Sequence, residues 1–235
     1  MLAEGRRGVA IVTAMGIESA GLSRALQVGP WDRRSPHGWH EGLLAGCPAV
    51  LATCGIGVRS AHRWAQVLLD EYEPRLVILT GAGGGVAPHV DVGDLVLGDA
   101  IYHLEQRRVL SRHDVDPGLL TLAHQAAAAA SLRRVRSRDP RVVQGAVGTT
   151  GRAVGDRAWG ARLAREHGIL AVEMEGAAIA QACSQRGVPF LVLRAVSDVI
   201  GCPWQWLTMI RYLVPAQRNA ERLIFALVQR LASLP

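Results

Sequence analysis

The sequence predicts an α/β fold: a single domain over residues 1–235, in three α/β/α layers around a central mixed, mainly parallel β-sheet. Three observations predict it. Short apolar, β-rich runs alternate with stretches of helical periodicity, the pattern of a parallel sheet covered by helices. The 235 residues are 49% hydrophobic and 20% charged, the make-up of a globular chain that builds one sizeable core. No apolar run reaches the roughly 18 residues that a membrane span needs.

Taken in order, Val9–Thr13, Ala49–Thr53, Leu76–Thr80, Asp94–Asp99, Val142–Val147, Leu170–Val172 and Phe190–Val196 read as strands, each short and rich in Val, Ile, Leu or Thr. Arg59–Tyr72, Leu119–Leu132, Asp156–His167 and Glu175–Arg186 read as the helices between them. After Pro215 a last helix places Ala220, Leu223, Ile224, Leu227, Val228 and Leu231 on one face, with Arg218, Arg222 and Arg230 largely elsewhere. There is no internal repeat, low-complexity tract or convincing linker.

All 26 basic residues are arginines, so no lysine is present to form a Schiff base or to serve a Walker phosphate loop. Those two enzyme classes are excluded. A sequence pI of about 9.9 raises nucleic-acid binding. The arginines, however, run from Arg6 to Arg230, and the one cluster, Arg133 to Arg141, lacks interleaved aromatics for stacking bases. That cluster reads as a solvated helix end and loop, and no nucleic-acid partner is expected. Cys47, Cys54, Cys183 and Cys202 have neither CxxC spacing nor partnered histidines, which fits reduced cysteines and no metal site. Met1–Gly8 is too short and polar to precede a signal-peptide core. A soluble, cytoplasmic protein without a cofactor is the expectation.

In parallel α/β sheets ligands bind beyond the carboxyl ends of the strands, and the chain concentrates its chemistry there. Glu18 follows the first strand. Gly55-Ile56-Gly57 joins a strand to a helix whose first amides are free to hold an anion or a sugar oxygen. Thr80–Gly85 fails the dinucleotide pattern, because the third glycine of GxGxxG would fall on Val86 and no helix follows. It reads as a tight loop or as backbone that passes close to a ligand. Glu173 and Glu175 stand at a strand-to-helix junction. A carboxylate there could accept the vicinal hydroxyls of a ribose, but on spacing alone a helix start that favours negative charge is the simpler account. Asp198 ends an apolar strand, where desolvation would raise its pKa toward acid catalysis; it could equally be a cap.

Together and in this order, IVTAMGIESAGL (Ile11–Leu22), GIG (Gly55–Gly57), the Pro74–Gly85 segment with VGDLVLGD (Val92–Asp99), AVEMEGAAIA (Ala171–Ala180) and VPFLVLRAVSDV (Val188–Val199) resemble the nucleoside phosphorylase superfamily. Within it they are most similar to the 5′-methylthioadenosine/S-adenosylhomocysteine nucleosidases. The AVEMEGAA and RAVSD pair is specific; the glycine runs are not. The resemblance implies a homodimer that hydrolyses the N-glycosidic bond of an adenine nucleoside with a 5′-substituted ribose. It implies that Asp198 protonates purine N7, with Ser197 orienting it, and that Glu18 activates the attacking water. Glu175 would bind the ribose hydroxyls beside Met174, and Glu173, Ile56, Gly83 and Gly84 would complete the binding site.

The departures from the family pattern bear on substrate choice. Ala82 stands where a serine is usual. No aromatic residue lies between Tyr102 and Trp159 to face the base near Thr149–Val154, and the loop from Tyr102 to Asp116 that caps the 5′-group is short. The stretch Cys202–Val214 holds Trp204, Trp206, Leu207, Met209, Ile210 and Tyr212 and is expected to pack into the core. Its alternative is a wall for a bulky apolar, lipid-like (hopanoid-like) 5′-group. The competing functions are phosphorolysis, for which Arg59 and Arg194 could hold phosphate, and a non-catalytic nucleoside-binding protein.

Overall fold

The structure, a computed structural model, describes residues 7–27 and 39–233; residues 1–6 of the polar N-terminal segment lie outside it. Nine strands are formed among the described residues: β1 (Arg7–Thr13), β2 (His40–Leu44), β3 (Cys47–Thr53), β4 (Pro74–Gly85), β5 (Leu95–Glu105), β6 (Arg108–Asp114), β7 (Val142–Thr150), β8 (Ile169–Glu173) and β9 (Phe190–Val199). The helices are α1 (Ala20–Ala25), α2 (Val58–Glu71), α3 (Pro117–Ala129), α4 (Arg157–His167), α5 (Gly176–Gln185) and α6 (Gln205–Ala232).

The sheet runs β2-β3-β1-β4-β8-β7-β5-β6, and β9 pairs with both β4 and β5. The strands β4, β8, β7, β5 and β9 therefore close on one another, and β3 and β1 extend from β4 in parallel register. The β1–β3, β1–β4, β4–β9, β5–β7 and β7–β8 pairs are parallel, whereas β2–β3, β4–β8, β5–β6 and β5–β9 are antiparallel. This is the mixed, mainly parallel sheet that the alternating pattern predicts. Its central strands are buried on both faces, which is why Val9–Val12 and Leu76–Leu79 read as continuous apolar runs. Helix α2 packs on α5 and α3 on α6. Local chemistry sets the helix ends: the Asp116 side chain caps the amides of Gly118 and Leu119 ahead of Pro117, and Gly168 closes α4 with a left-handed φ of 64°.

The structure departs from the sequence reading in several places. Thr80–Gly85 is not a loop but the second half of β4, paired along β9 from Val77 to Gly85. The glycines are needed because neighbouring groups crowd the strand: a Cβ on Gly81 would sit 2.6 Å from Arg194 Nη1, and one on Gly84 2.5 Å from the end of Ile200. The arginine cluster is not wholly solvated, since Arg138 and Arg141 both close on the buried carboxylate of Asp94 at the start of β5. The last helix begins ten residues before Pro215 and carries that proline inside it. The apolar Cys202–Val214 stretch does not enter the core, for Trp204, Trp206, Leu207, Met209 and Ile210 are all exposed. Strands β2 and β6 and the short α1 were also absent from the sequence reading; β6, with the pattern RVLSRHD, is a largely exposed edge strand without an apolar face to betray it.

Candidate active site

The carboxyl ends of β1, β3, β4, β8 and β9 gather Glu18, the Gly55–Gly57 turn, Ala82–Gly84, Glu173–Glu175 and Ser197–Asp198. Glu18 lies in a 3-10 turn (Gly16–Ser19) directly after β1 and is buried. One carboxylate oxygen accepts the amide of Met15 at 2.9 Å and the other the amide of Ala82 at 2.8 Å. A carboxylate has about four acceptor positions, so each oxygen keeps one for a water. Because the Ala82 contact is made by backbone, it does not depend on a serine side chain at that position. Gln217 of α6 fixes the turn from beneath, donating to the Glu18 carbonyl at 2.8 Å.

Asp198 closes the opposite side. Its Oδ1 accepts Ser197 Oγ at 2.7 Å and its Oδ2 accepts Gln205 Nε2 at 2.8 Å. Burial raises its pKa above the usual carboxylate range, and these two hydrogen bonds partly oppose the rise. Gly84 lies next to it: a Cβ there would be 3.3 Å from Oδ2. Ala82 and Gly84 are the partly exposed, alternating positions of β4, whereas Gly83 turns toward Arg194, Val172 and Ala171. Residues two apart on a strand are about 7 Å apart. Glu18 and Asp198 are thus anchored at opposite ends of a short floor of backbone.

Glu175 is the N-cap residue of α5, and its Oε1 accepts the Gly57 amide at 2.7 Å. This contact uses the Gly55–Gly57 turn, where Gly57 has a φ of 93° that favours glycine. Burial, reinforced by the neighbouring Glu173 charge, raises the Glu175 pKa, while Arg194 opposes the shift. Met174 is half-buried beside it and Ile56 is exposed at the rim.

Glu173, grouped with the binding residues in the sequence reading, points into the protein. Its oxygens accept Thr149 Oγ1, an Arg194 N–H, and the amides of Glu175 and Gly176 at 2.8–3.0 Å. The carboxylate is fully used in shaping the β8–α5 junction that presents Met174 and Glu175. Arg194 is fully buried and pairs with Glu173, its Nη2 standing 3.8 Å from Glu175 Oε2. Cys54, at the end of β3, is no nucleophile: burial, with the Glu175 charge second, pushes its thiol up to about 12. Sequence reasoning missed the supporting residues Thr149, Gln205 and Gln217, which come from distant segments and belong to no local motif. Among the described residues no group of three or more His, Cys, Asp or Glu could hold a metal ion.

Comparison with known proteins places the chain in a family. Residues 8–229 match the family model of the phosphorylase superfamily. A 5′-methylthioadenosine/S-adenosylhomocysteine nucleosidase of Chromohalobacter salexigens is 30% identical over 239 residues, covering 97% of this chain and 99% of that protein. The nucleosidase of the same name from Neisseria meningitidis, solved with methylthio-immucillin-A, aligns with a TM-score of 0.79 and 28% identity over 94% of this chain and 98% of that one. The Colwellia psychrerythraea nucleosidase, solved with adenine, aligns with a TM-score of 0.81 and 26% identity over 95% of each chain. The chain therefore belongs to the phosphorylase superfamily, among the 5′-methylthioadenosine/S-adenosylhomocysteine nucleosidases.

Proposed function

We propose that this chain, acting as one domain over residues 1–235, hydrolyses the N-glycosidic bond of an adenine nucleoside with a 5′-substituted ribose and releases adenine. The observation that carries the reading is the opposition of Glu18 and Asp198 across the Ala82–Gly84 floor. Departure of the base builds a sugar cation between leaving group and water, so the reaction needs an acid on one side and a base on the other. Asp198, whose pKa burial raises, is the group suited to deliver a proton to purine N7, and Ser197 and Gln205 fix the carboxyl in place. Glu18 holds the water with the acceptor positions left free by its two backbone bonds, and takes its proton as it attacks. The resulting arrangement is that of an inverting displacement, by analogy with paired carboxylates spaced to admit a water. Glu175 accepts the ribose hydroxyls, and its negative charge stabilises the cation. Met174 lies against the sugar, with Ile56, Gly84 and the backbone of the inward-turned Gly83 lining the site, while Glu173 acts as a positioning residue.

Hydrolysis is favoured over phosphorolysis by the state of the arginines. Arg194 is enclosed and committed to Glu173 and Glu175, and Arg59 is exposed on α2. The enclosed Arg194 therefore offers a phosphate no free guanidinium. The working unit of this reading is a homodimer in the cytoplasm, which sedimentation velocity and cell fractionation test.

The deciding experiment is chromatographic detection of free base from methylthioadenosine, S-adenosylhomocysteine, 5′-deoxyadenosine, adenosine and inosine, with and without phosphate. Adenine release that is independent of phosphate, and that falls on the order of 10²–10⁴-fold in Asp198→Asn, is expected. Strict dependence on phosphate, or full activity of Asp198→Asn, would overturn the mechanism.

A further inference from the structure

Helix α6 carries one row of mainly apolar residues, interrupted by Gln217, with two different fates. At intervals of three or four residues, Trp206, Ile210, Leu213, Gln217, Ala220, Ile224 and Val228 share a face. From Gln217 onward this face is buried. In the first turns it overhangs the sheet: Trp206 is 59% and Ile210 64% exposed, with Leu207 at 44% and Met209 at 40% beside them. Trp204, which caps the helix in a left-handed conformation (φ 59°), is 70% exposed. Solitary exposed apolar residues are ordinary; two tryptophans and three aliphatic side chains within seven residues form a patch that calls for a partner.

The charges around the patch indicate which partner. From Val199 to Ala220 there is no acidic residue, and Arg211 and Arg218 are the charged groups of the segment. Arg211 and Arg136 both lie over the Tyr212 ring, at 5.5 and 5.8 Å from its centroid. At the other end the exposed Arg157 abuts Gly201, whose added Cβ would lie 2.3 Å from the Arg157 Cβ. The nearby Asp156 is already paired with Arg107 at 2.9 Å. The start of α6 adds the positive end of its dipole. Arg136 also faces Asp91, 3.6 Å away, which leaves Arg157 and Arg211, among the described residues, as the arginines without a carboxylate of this kind beside the patch. Tryptophan with aliphatic side chains, bordered by arginines and with no carboxylate in its own stretch of chain, is the composition of a segment that lies in the interface of an anionic bilayer.

We propose that the Trp204–Ile210 face of α6 docks the protein on anionic lipid surfaces. The indoles and aliphatic chains enter the headgroup region, while Arg136, Arg157 and Arg211 meet lipid phosphates. Docking is peripheral, since no helix among the described residues is long and apolar enough to cross a membrane. Because Gln205 of the same turn bonds to Asp198, docking brings the mouth of the candidate active site to the membrane surface. The inference stands independently of the proposed reaction.

The test is cosedimentation of the full chain with vesicles of phosphatidylcholine alone and with 30% phosphatidylglycerol. Binding at least tenfold tighter to the anionic vesicles, weakened by added salt, is expected. A blue shift of tryptophan emission should accompany it. Trp204→Ser/Leu207→Ser/Ile210→Ser should lower anionic binding at least tenfold, with circular dichroism melting as the check on folding. The single Arg211→Glu, which leaves the apolar face intact, should lower it severalfold. No vesicle binding, equal binding to both vesicle types, or unchanged binding by the folded variants would overturn the proposal. So would dissociation of a dimer by the triple variant in a protein that ignores vesicles, which would assign the face to a second copy of the chain.

Discussion

Asp198 shows how a single side chain is tuned by its neighbours. Burial favours its neutral form, and the hydrogen bonds from Ser197 and Gln205 favour the charged one. Removing a donor should therefore raise the pKa further. A general acid works while protonated, so in Gln205→Ala the alkaline limb of the pH–kcat profile should move to higher pH. The loss in kcat at the optimum should be about tenfold or less, far smaller than for Asp198→Asn. A profile superimposable on that of the unaltered protein would remove Gln205 from the positioning of the acid. Glu18, Glu175 and Asp198 are legible in the sequence because each stands at or shortly after the end of a strand, next to a recognisable motif. Gln205 and Gln217 are not, since a glutamine in a helix carries no signal until the fold brings its amide to Asp198 or to the Glu18 carbonyl.

The second half of β4 is where the sequence reading and the structure part most clearly. Five glycines and alanines in succession carry little β-propensity, and so Gly81–Gly85 reads as a loop. The strand exists because its partners impose it: β9 pairs along its length and β8 meets Gly84 and Gly85. Strand β1, by contrast, is visible in sequence because burial on both faces makes it uniformly apolar. The small residues of β4 admit the Glu18, Arg194 and Asp198 side chains close to its backbone. Gly81→Ala would put a methyl group 2.6 Å from Arg194 Nη1 and 2.8 Å from Glu18 Oε1. Both are held side chains, so relief must come from moving the guanidinium and carboxylate. A loss of about 1–3 kcal/mol in stability, measured by urea unfolding, and a fall in kcat larger than any change in KM are expected. Wild-type kcat in this variant would show that the packing about Gly81 does not hold the Glu18 carboxylate in place.

For the protein as a whole, acid stability is set by buried carboxylates with opposing tendencies. Asp94 is fully buried, accepts the guanidinium groups of Arg138 and Arg141 and the amides of Asp91 and Arg141, and ties the segment after α3 to the start of β5. Burial would raise its pKa, but the hydrogen bonds with the arginines and amides outweigh this and lower it from 3.8 to about 2. A carboxyl group depressed on folding contributes stability that is fully present above its unfolded pKa and is lost as pH falls through the folded one. Glu175 and Asp198 are raised, so their contribution has the reverse sign: it is full below the unfolded pKa and lost as pH rises through the folded value. Among these three buried carboxylates, the one that loses stability from pH 4 to 2 is Asp94, not the pair in the candidate active site. With the arginines partly in solvent, the depression corresponds to about 1–2 kcal/mol. Asp94→Asn should lower stability by at least that amount at pH 7, a drop of roughly 3–6 °C in Tm for a chain of this length. The gap between variant and unaltered protein should then narrow as pH approaches 2, because the native carboxyl is itself protonated there. Melting curves at pH 7, 4 and 2.5 measure this directly, and a gap that stays constant across them would mean that the Asp94 charge contributes nothing to holding the arginine segment.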